Sequence, residues 1–370
     1  MSLGCPDEIA YSELAARLVG SDAGVRIPLS GIWDATERCN LACAHCYINQ
    51  PAADWQRTAR ELSTTQICSI LDEAAAEGCL WLALTGGEPF LRPDMLEVYR
   101  HAKRRGLLIT IFTNGTLVTP AIVDELAEWR PYQIEISLYG ATAETYERVS
   151  GVKGSFARCM RGVDLVLERG LPLALKTMVL TVNRHELAGM MALARERGVE
   201  FRWDAELTPR LDGGKQNQAV ALSAEESAEI DVGHPERAAE WRALVEKERA
   251  WRKRLVGGEI SHTRVDSVYR CGAGLRSFHI DAYGRLSLCA IARQPAYDLT
   301  QGSFREGWRG FLAQARQARR RQRTACTDCD IAILCSQCAG WSQLAHGDDE
   351  TPVDSVCEVA HLRASGLGVG

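Results

Sequence analysis

The chain has 370 residues, 46% of them hydrophobic and 25% charged, with a formal net charge of −5. So much apolar material excludes a mainly disordered chain, and the length suggests two domains or one large domain with an appendage. The acidic balance argues against broad electrostatic binding to nucleic acid or to an anionic membrane, and no apolar run is long enough to predict a spanning helix.

Met1–Ala10 is acidic and has no apolar stretch, so it does not read as a signal peptide, and a cytoplasmic location is expected. From there to residue 208, short apolar runs alternate with helical patterns. The predicted strands are Gly31–Ala35, Leu80–Thr85, Leu107–Thr113, Gln133–Leu138, Leu173–Leu180 and Val199–Glu206. They show little period-2 alternation, which suits parallel strands buried on both faces. Between them, Ser63 caps a helix through Glu77 with Ile67, Ile70, Leu71 and Ala74 on one side. Pro93 sits in the first turn of a helix ending at Gly106, and Pro120 opens one through Trp129. Ser155 precedes a helix with Met160, Val163 and Leu167 inward, and His185–Arg197 is followed by Gly198. This succession predicts an α/β chain whose first domain, residues 28–208, is a partial (β/α)6 TIM-like barrel after an N-terminal segment, 1–27. A doubly wound sheet is the alternative, because periodicity does not reveal strand order.

Residues 209–266 read as a bridging segment. Pro209–Gln218 is a polar turn or linker, and Leu222–Leu255 is a charged helix with Trp241, Leu244, Val245, Trp251 and Leu255 as its inner stripe. That helix reads as a solvated bridge, with a docking surface as the alternative. From 267 to 362 the elements are short and cysteines dense, as in a small domain that uses metal in place of a thick core; 363–370 is a tail.

Fourteen cysteines without an export signal point to metal rather than disulfides. Cys5, Cys68, Cys79 and Cys159 are scattered and read as incidental or packing thiols. Cys39, Cys43 and Cys46 follow the first predicted strand, at the strand end where parallel barrels carry their active sites. Three thiolates are one short of a structural zinc site, and His45, wedged between two of them, is poorly placed to complete one. A [4Fe–4S] cluster held by three cysteines leaves one iron open. Cys271, Cys289, Cys326, Cys329, Cys335, Cys338 and Cys357 exceed one tetrahedral site and fall one short of two, which fits two clusters with one open position.

Cys-x3-Cys-x2-Cys, followed one strand later by Gly86-Gly87-Glu88-Pro89, resembles the signature of the radical S-adenosylmethionine (radical SAM) superfamily. The resemblance implies that Cys39, Cys43 and Cys46 hold a cluster whose open iron chelates SAM, and that Gly86, Gly87, Glu88 and Pro89 form its amino-group site. It also implies that electron transfer cleaves SAM to a 5′-deoxyadenosyl radical, which abstracts hydrogen from the substrate. His45 stands where the family has an aromatic beside adenine, with Tyr47 next to it. Ser137, in Ser137-Leu-Tyr-Gly140, resembles the ribose-contacting position, with Tyr139 where the family has Asp. Arg148 and Lys176 are candidates for the SAM carboxylate, and Asn114 either joins the cofactor site or makes an Asn-Gly turn.

The second cysteine group resembles the SPASM extension of the same superfamily, with x2 rather than x3 before Cys338. By that resemblance Cys271, Cys289 and Cys338 hold an inner auxiliary [4Fe–4S] cluster, and Cys326, Cys329, Cys335 and Cys357 an outer one. The inner cluster is expected to have an open or non-cysteine position. His279 and Asp281 are candidate ligands there, against a plain β-hairpin turning at Tyr283-Gly284.

The implied function is a radical SAM/SPASM oxidoreductase modifying a ribosomally made peptide, with a thioether or carbon crosslink formed by net oxidation. Sulfatase maturation to formylglycine, peptide epimerisation (with Cys159 weighed as hydrogen donor) and a non-catalytic iron–sulfur electron-transfer protein are the alternatives. Expected partners are the peptide, with or without a leader, and a flavodoxin or ferredoxin reductant. A separate leader-binding protein is expected, since the first strand begins near residue 30. The basic run Arg316–Arg323 is a candidate for steering an acidic leader or flavodoxin, against a solvated helix face.

Overall fold

The six apolar runs are parallel strands in a computed structural model of the chain, which describes residues 26–48, 50–256 and 267–369. They are β1 (Ser30–Thr36), β2 (Trp81–Gly86), β3 (Leu108–Thr113), β4 (Gln133–Ser137), β5 (Leu173–Met178) and β6 (Glu200–Asp204). The intervening helices are α1 (Thr64–Ala76), α2 (Met95–Arg104), α3 (Pro120–Glu128), α4 (Ala143–Ser150), α5 (Ser155–Glu168) and α6 (Leu187–Glu196). Ser63 caps α1 through a capping box with Gln66, and the four residues expected to face inward are buried.

Three local expectations shift. Pro93 precedes Asp94, the cap of α2, rather than lying in its first turn. Helix α5 turns Cys159, Val163 and Val166 fully inward and leaves Met160 and Leu167 half-buried. The cause is Gly162, whose backbone lies so near Gly115 that a Cβ would meet that carbonyl oxygen at 2.1 Å. Helix α4 was not foreseen; Tyr146 and Val149 are its only large buried apolar residues, too few to show a period.

Strands β7 (Ser277–Ile280), β8 (Arg285–Ser287) and β9 (Tyr297–Asp298) complete the sheet, whose order among the described residues is β9-β8-β7-β1-β2-β3-β4-β5-β6. A doubly wound sheet reverses at a switch point. Here β1 to β6 run side by side in chain order, so the sheet is the wall of a partial barrel. On β3 and β6 burial alternates residue by residue, so the strands are not sealed on both faces as expected. One face packs Leu84, Ile109 and Ile136 into a core shared with α1. The other, carrying Thr85, Phe112, Ser137 and Lys176, is only half-covered.

β7 extends the barrel sheet, pairing parallel with β1 from Ser30↔Ser277 to Trp33↔Ile280. Gly31 makes room for the Phe278 ring, and Trp33, Phe278 and Trp308 share one core. β7 and β8 form the hairpin expected around Gly284.

The predicted bridging helix is two helices, α7 (Ala224–Gly233) and α8 (Pro235–Val256), because Pro235 has no N–H to continue the first. On α8, Ala238 and Val245 are buried, whereas Leu244 is 39% exposed and leaves the predicted stripe. The side chains of Trp251 and Leu255, the segment 1–25 with Cys5, and 257–266 lie outside the described residues. After α9 (Ala339–His346), α10 (Asp354–Leu367) brings buried Arg363 to Asp231 at 3.0 Å and Glu206 at 2.8 Å. The basic run is not a helix face. The short helix Ala313–Arg316 ends there, and Arg316 donates to Ser267 Oγ and the Cys271 carbonyl, while Arg321 pairs with Asp349 and Glu350. Among the described residues no helix is long and apolar enough to cross a membrane.

Candidate functional site

Cys39, Cys43 and Cys46 lie on the loop leaving the C-terminal end of β1. The loop is held from two sides. Ala42 N and Ala44 N donate to the Ser150 and Val149 carbonyls at the end of α4, both at 2.9 Å. On the other side, Arg210 donates to the Cys46 carbonyl at 3.2 Å, Asn217 to that of His45 at 3.3 Å, and Leu211 N to that of Tyr47 at 3.0 Å.

Burial pushes the Cys39 thiol up to about 12 and raises Cys43 well above its ordinary value; each is raised further by the charge of Cys46. Three shielded thiols that repel one another as thiolates are a poor bare arrangement, and a multivalent cation reverses it. The donor set therefore fits a metal centre. Among the described residues no three Cys, His, Asp or Glu side chains converge on a point that would hold a single metal ion, whose tetrahedral shell would draw sulfurs to within about 3.8 Å. A cluster, with each sulfur on a different iron, asks for wider spacing.

The end of β2 closes against this loop. Gly87 N donates to the Thr36 carbonyl at 2.7 Å and Glu88 N to that of Arg38 at 2.9 Å. A Cβ on Gly86 would meet Thr36 O at 2.2 Å, and one on Gly87 would meet Arg38 O at 2.1 Å. The glycines are thus required first by strand-to-loop packing, and only then by any ligand. Glu88 is fully buried and its carboxylate is already engaged. Thr113 Oγ1 reaches both of its oxygens, Asn114 N donates at 2.8 Å and Phe90 N at 3.2 Å. Burial raises it to about 7 in spite of these donors.

The other predicted residues fall into place unevenly. The His45 ring packs edge-on to Tyr139 at 4.8 Å, its Nδ1 is shielded without a hydrogen-bond partner, and burial lowers it to about 4. Asn114 lies at the end of β3, with its amide 3.7 Å from Cys39 Sγ. Ser137 ends β4, and its carbonyl accepts from Cys159, a fully buried thiol. Lys176 stands on the half-covered face of β5, 3.4 Å from Glu135 and 3.2 Å above the Phe112 ring; burial lowers it to about 8. Arg148 is half-exposed and paired with Glu144 one turn away, as an ordinary surface cation is.

The second cysteine group divides in two. Cys289 feels the charges of Cys338 and Cys271, and Cys338 that of Cys271. Cys357 feels Cys326 and Cys329, and Cys335 feels Cys326 and Cys357. Among the described residues there is no disulfide. His279 and Asp281 are occupied elsewhere. Both ring nitrogens of His279 are in use, against Ser287 Oγ at 3.0 Å and Asp34 at 3.1 Å. Asp281 accepts from Tyr283 N and Arg285 N to close the hairpin.

Asp34 and Arg293 escaped the sequence reading, and Tyr139 and Tyr47, named in it, have surroundings it did not give. Asp34, fully buried on β1, takes Arg293 at 2.6 Å as well as His279; burial pushes its carboxyl up, but these two partners together hold it below the usual range. The only hint was a charge inside an apolar strand. The Tyr139 ring stands between His45 and Tyr146, near enough to Cys43 to feel its charge. Tyr47 lies among Asp34, Arg293, Cys46 and Cys289, so it touches the fields of both cysteine groups. Beside it opens a cavity of about 720 Å³ walled by Glu37, Asp281, Asp349, Arg285, Arg293 and Arg321 among others.

Residues 33–194 match the radical SAM superfamily. The chain is 28% identical over 336 residues to the AdoMet-dependent heme synthase of Methanosarcina barkeri, covering 85% of this chain and 92% of that one. It is 30% identical over 267 residues to the PqqA peptide cyclase of Gluconobacter oxydans, covering 72% and 71%. Streptococcus suis SuiB bound to S-adenosylmethionine shares the fold, with a TM-score of 0.62 at 15% identity over 96% of this chain and 82% of that one. The chain belongs to the radical SAM superfamily, whose enzymes use a [4Fe–4S] cluster and SAM.

Proposed function

We propose that this enzyme oxidises a residue of a ribosomally made peptide, forming a thioether or carbon crosslink. One observation carries the reading: the three-thiol loop lies between Gly86–Pro89 on one side and, across Tyr47, the inner cysteine group on the other. In this reading Cys39, Cys43 and Cys46 hold the SAM-binding cluster, Cys271, Cys289 and Cys338 an inner auxiliary cluster, and Cys326, Cys329, Cys335 and Cys357 an outer one. When bound, these groups and SAM supply a carbon-centred radical that takes a hydrogen atom and an acceptor for the second electron. The protein's part is to orient and to exclude water. The Gly86 and Gly87 backbone, with His45, Tyr47, Asn114, Ser137 and Lys176, shapes the cofactor site at the mouth of the barrel. Glu88 acts there as a strut joining β2 to β3. The cavity walls mix acids and arginines, which suits the alternating polar groups of a peptide. The 30% identity to a PqqA peptide cyclase supports the same substrate class.

A second reading, action on a porphyrin, is favoured by the match to an AdoMet-dependent heme synthase over 92% of that protein. One experiment separates them. Reconstituted, reduced enzyme is incubated with SAM and either peptides encoded beside its gene or an iron porphyrin other than heme. A peptide lighter by two hydrogens supports the crosslink, whereas unchanged mass in H2O together with uptake of one solvent deuterium in D2O indicates epimerisation. Heme with unaltered peptide transfers the function to the second reading.

A further inference from the structure

We infer that Asn114 tunes the reduction potential of the SAM-binding cluster by donating an N–H to the Cys39 sulfur. The inference rests on the cluster assignment proposed above and gives Asn114, placed there at the cofactor site, a role that acts through Cys39.

The orientation of the Asn114 amide follows from a complete count of its partners. Asn114 is 6% exposed and Thr116 3%, so water does not satisfy them. Asn114 Oδ1 accepts from Thr116 N at 2.9 Å and from Thr116 Oγ1 at 2.6 Å. Thr116 Oγ1 in turn accepts from Asn40 Nδ2 at 2.8 Å, and Asn40 Oδ1 accepts from Asn114 Nδ2 at 2.9 Å. The three side chains close a ring. An amide nitrogen has two hydrogens; one goes to Asn40, and the other is directed to Cys39 Sγ at 3.7 Å. Turning the amide over would set its oxygen against Asn40 Oδ1 and the sulfur, and its NH2 against two donors of Thr116. The ring therefore holds a donor at the sulfur. Leu41 N adds a second, backbone donor at 3.4 Å.

A donor at a ligand sulfur stabilises the more negative, reduced state of a cluster and raises its potential. The effect is strengthened where water is excluded. The segment Thr113–Thr116 thus has two duties: Thr113 and Asn114 N brace Glu88, and the Asn114 side chain faces the cysteine loop.

The test is an EPR-monitored redox titration of anaerobically reconstituted full-length protein, following the signal that changes on adding SAM. Asn114→Leu removes the donor at similar volume and is expected to move the midpoint to more negative potential. Asn114→Asp, which puts an acceptor at the sulfur, is expected to move it further. Thr116→Val leaves the amide but frees it to rotate, and is expected to give a smaller shift of the same sign; it serves as the readout if Asn114→Leu fails to take up iron. A SAM-responsive signal whose midpoint is unchanged in Asn114→Leu, or in Thr116→Val where that variant is the readout, overturns the inference and leaves the cluster assignment standing. A wild-type protein with no SAM-responsive signal overturns the assignment itself.

Discussion

Glu88 shows how a residue can be legible in kind while its partners are not. Its place in Gly86–Pro89 marked it at once, but its role depends on Thr113 and Asn114, which the sequence does not connect to it. Because burial raises its carboxyl from 4.5 to about 7, the folded protein binds this proton more tightly than the unfolded chain. The contribution is then present below pH 4.5 and is lost as pH rises through about 7, on the order of 3 kcal/mol. Anaerobic urea denaturation should show wild-type stability falling across that window. Glu88→Gln, which does not ionise, should be flat there, though less stable at low pH because its NH2 faces protein donors. Equal slopes in the two proteins would remove Glu88 as the source. Cysteine spacing and the glycine pair were legible because they are contiguous. Asp34 and His279 were not, because the partners are 245 residues apart and neither has local company.

At the scale of elements, the predicted strands and most helices match because their signals are local: caps, apolar faces and stop glycines. What failed was whatever depends on a neighbour, such as the rotation of α5 against Gly115 or the half-open inner face of the sheet. The junction between β2 and the cysteine loop is the element-scale feature with the sharpest consequence. Gly87 brings the strand end within hydrogen-bonding distance of Arg38, and any side chain there would strike that carbonyl. Gly87→Ala is expected to cost about 1–3 kcal/mol as the backbones separate. Because the displaced segment is also the proposed amino-group site, SAM affinity should fall by at least about tenfold in a protein that still binds iron. Calorimetric titration of the reconstituted variant with SAM measures this. Wild-type affinity would place the amino-group site elsewhere.

For the whole molecule, the question is how far the outer cysteine group stands apart from the rest. β7 joins the barrel sheet, and Ala292 and Ala339 still belong to the barrel's core, so the inner group is part of the same packed body. Trp341, Val353 and Val356 instead form a separate small core in contact with Cys335 and Cys338, while Leu334 packs with Ala238, Val245 and Ala364. Arg363, buried between Asp231 and Glu206, ties that outer layer to the segments beyond β6. Such layering allows the outer site to be emptied while the barrel core stays closed. Three clusters predict about twelve irons per chain in the reconstituted wild type. A Cys326→Ala, Cys329→Ala double variant should hold about eight and keep its SAM-responsive EPR signal, because both thiols lie with Cys335 and Cys357 in the outer group. Peptide oxidation in it should fail or slow wherever the second electron leaves through the outer site. Twelve irons retained would show that these two thiols are not ligands. Loss of the SAM-responsive signal would show that the layers are coupled more tightly than their separate cores suggest.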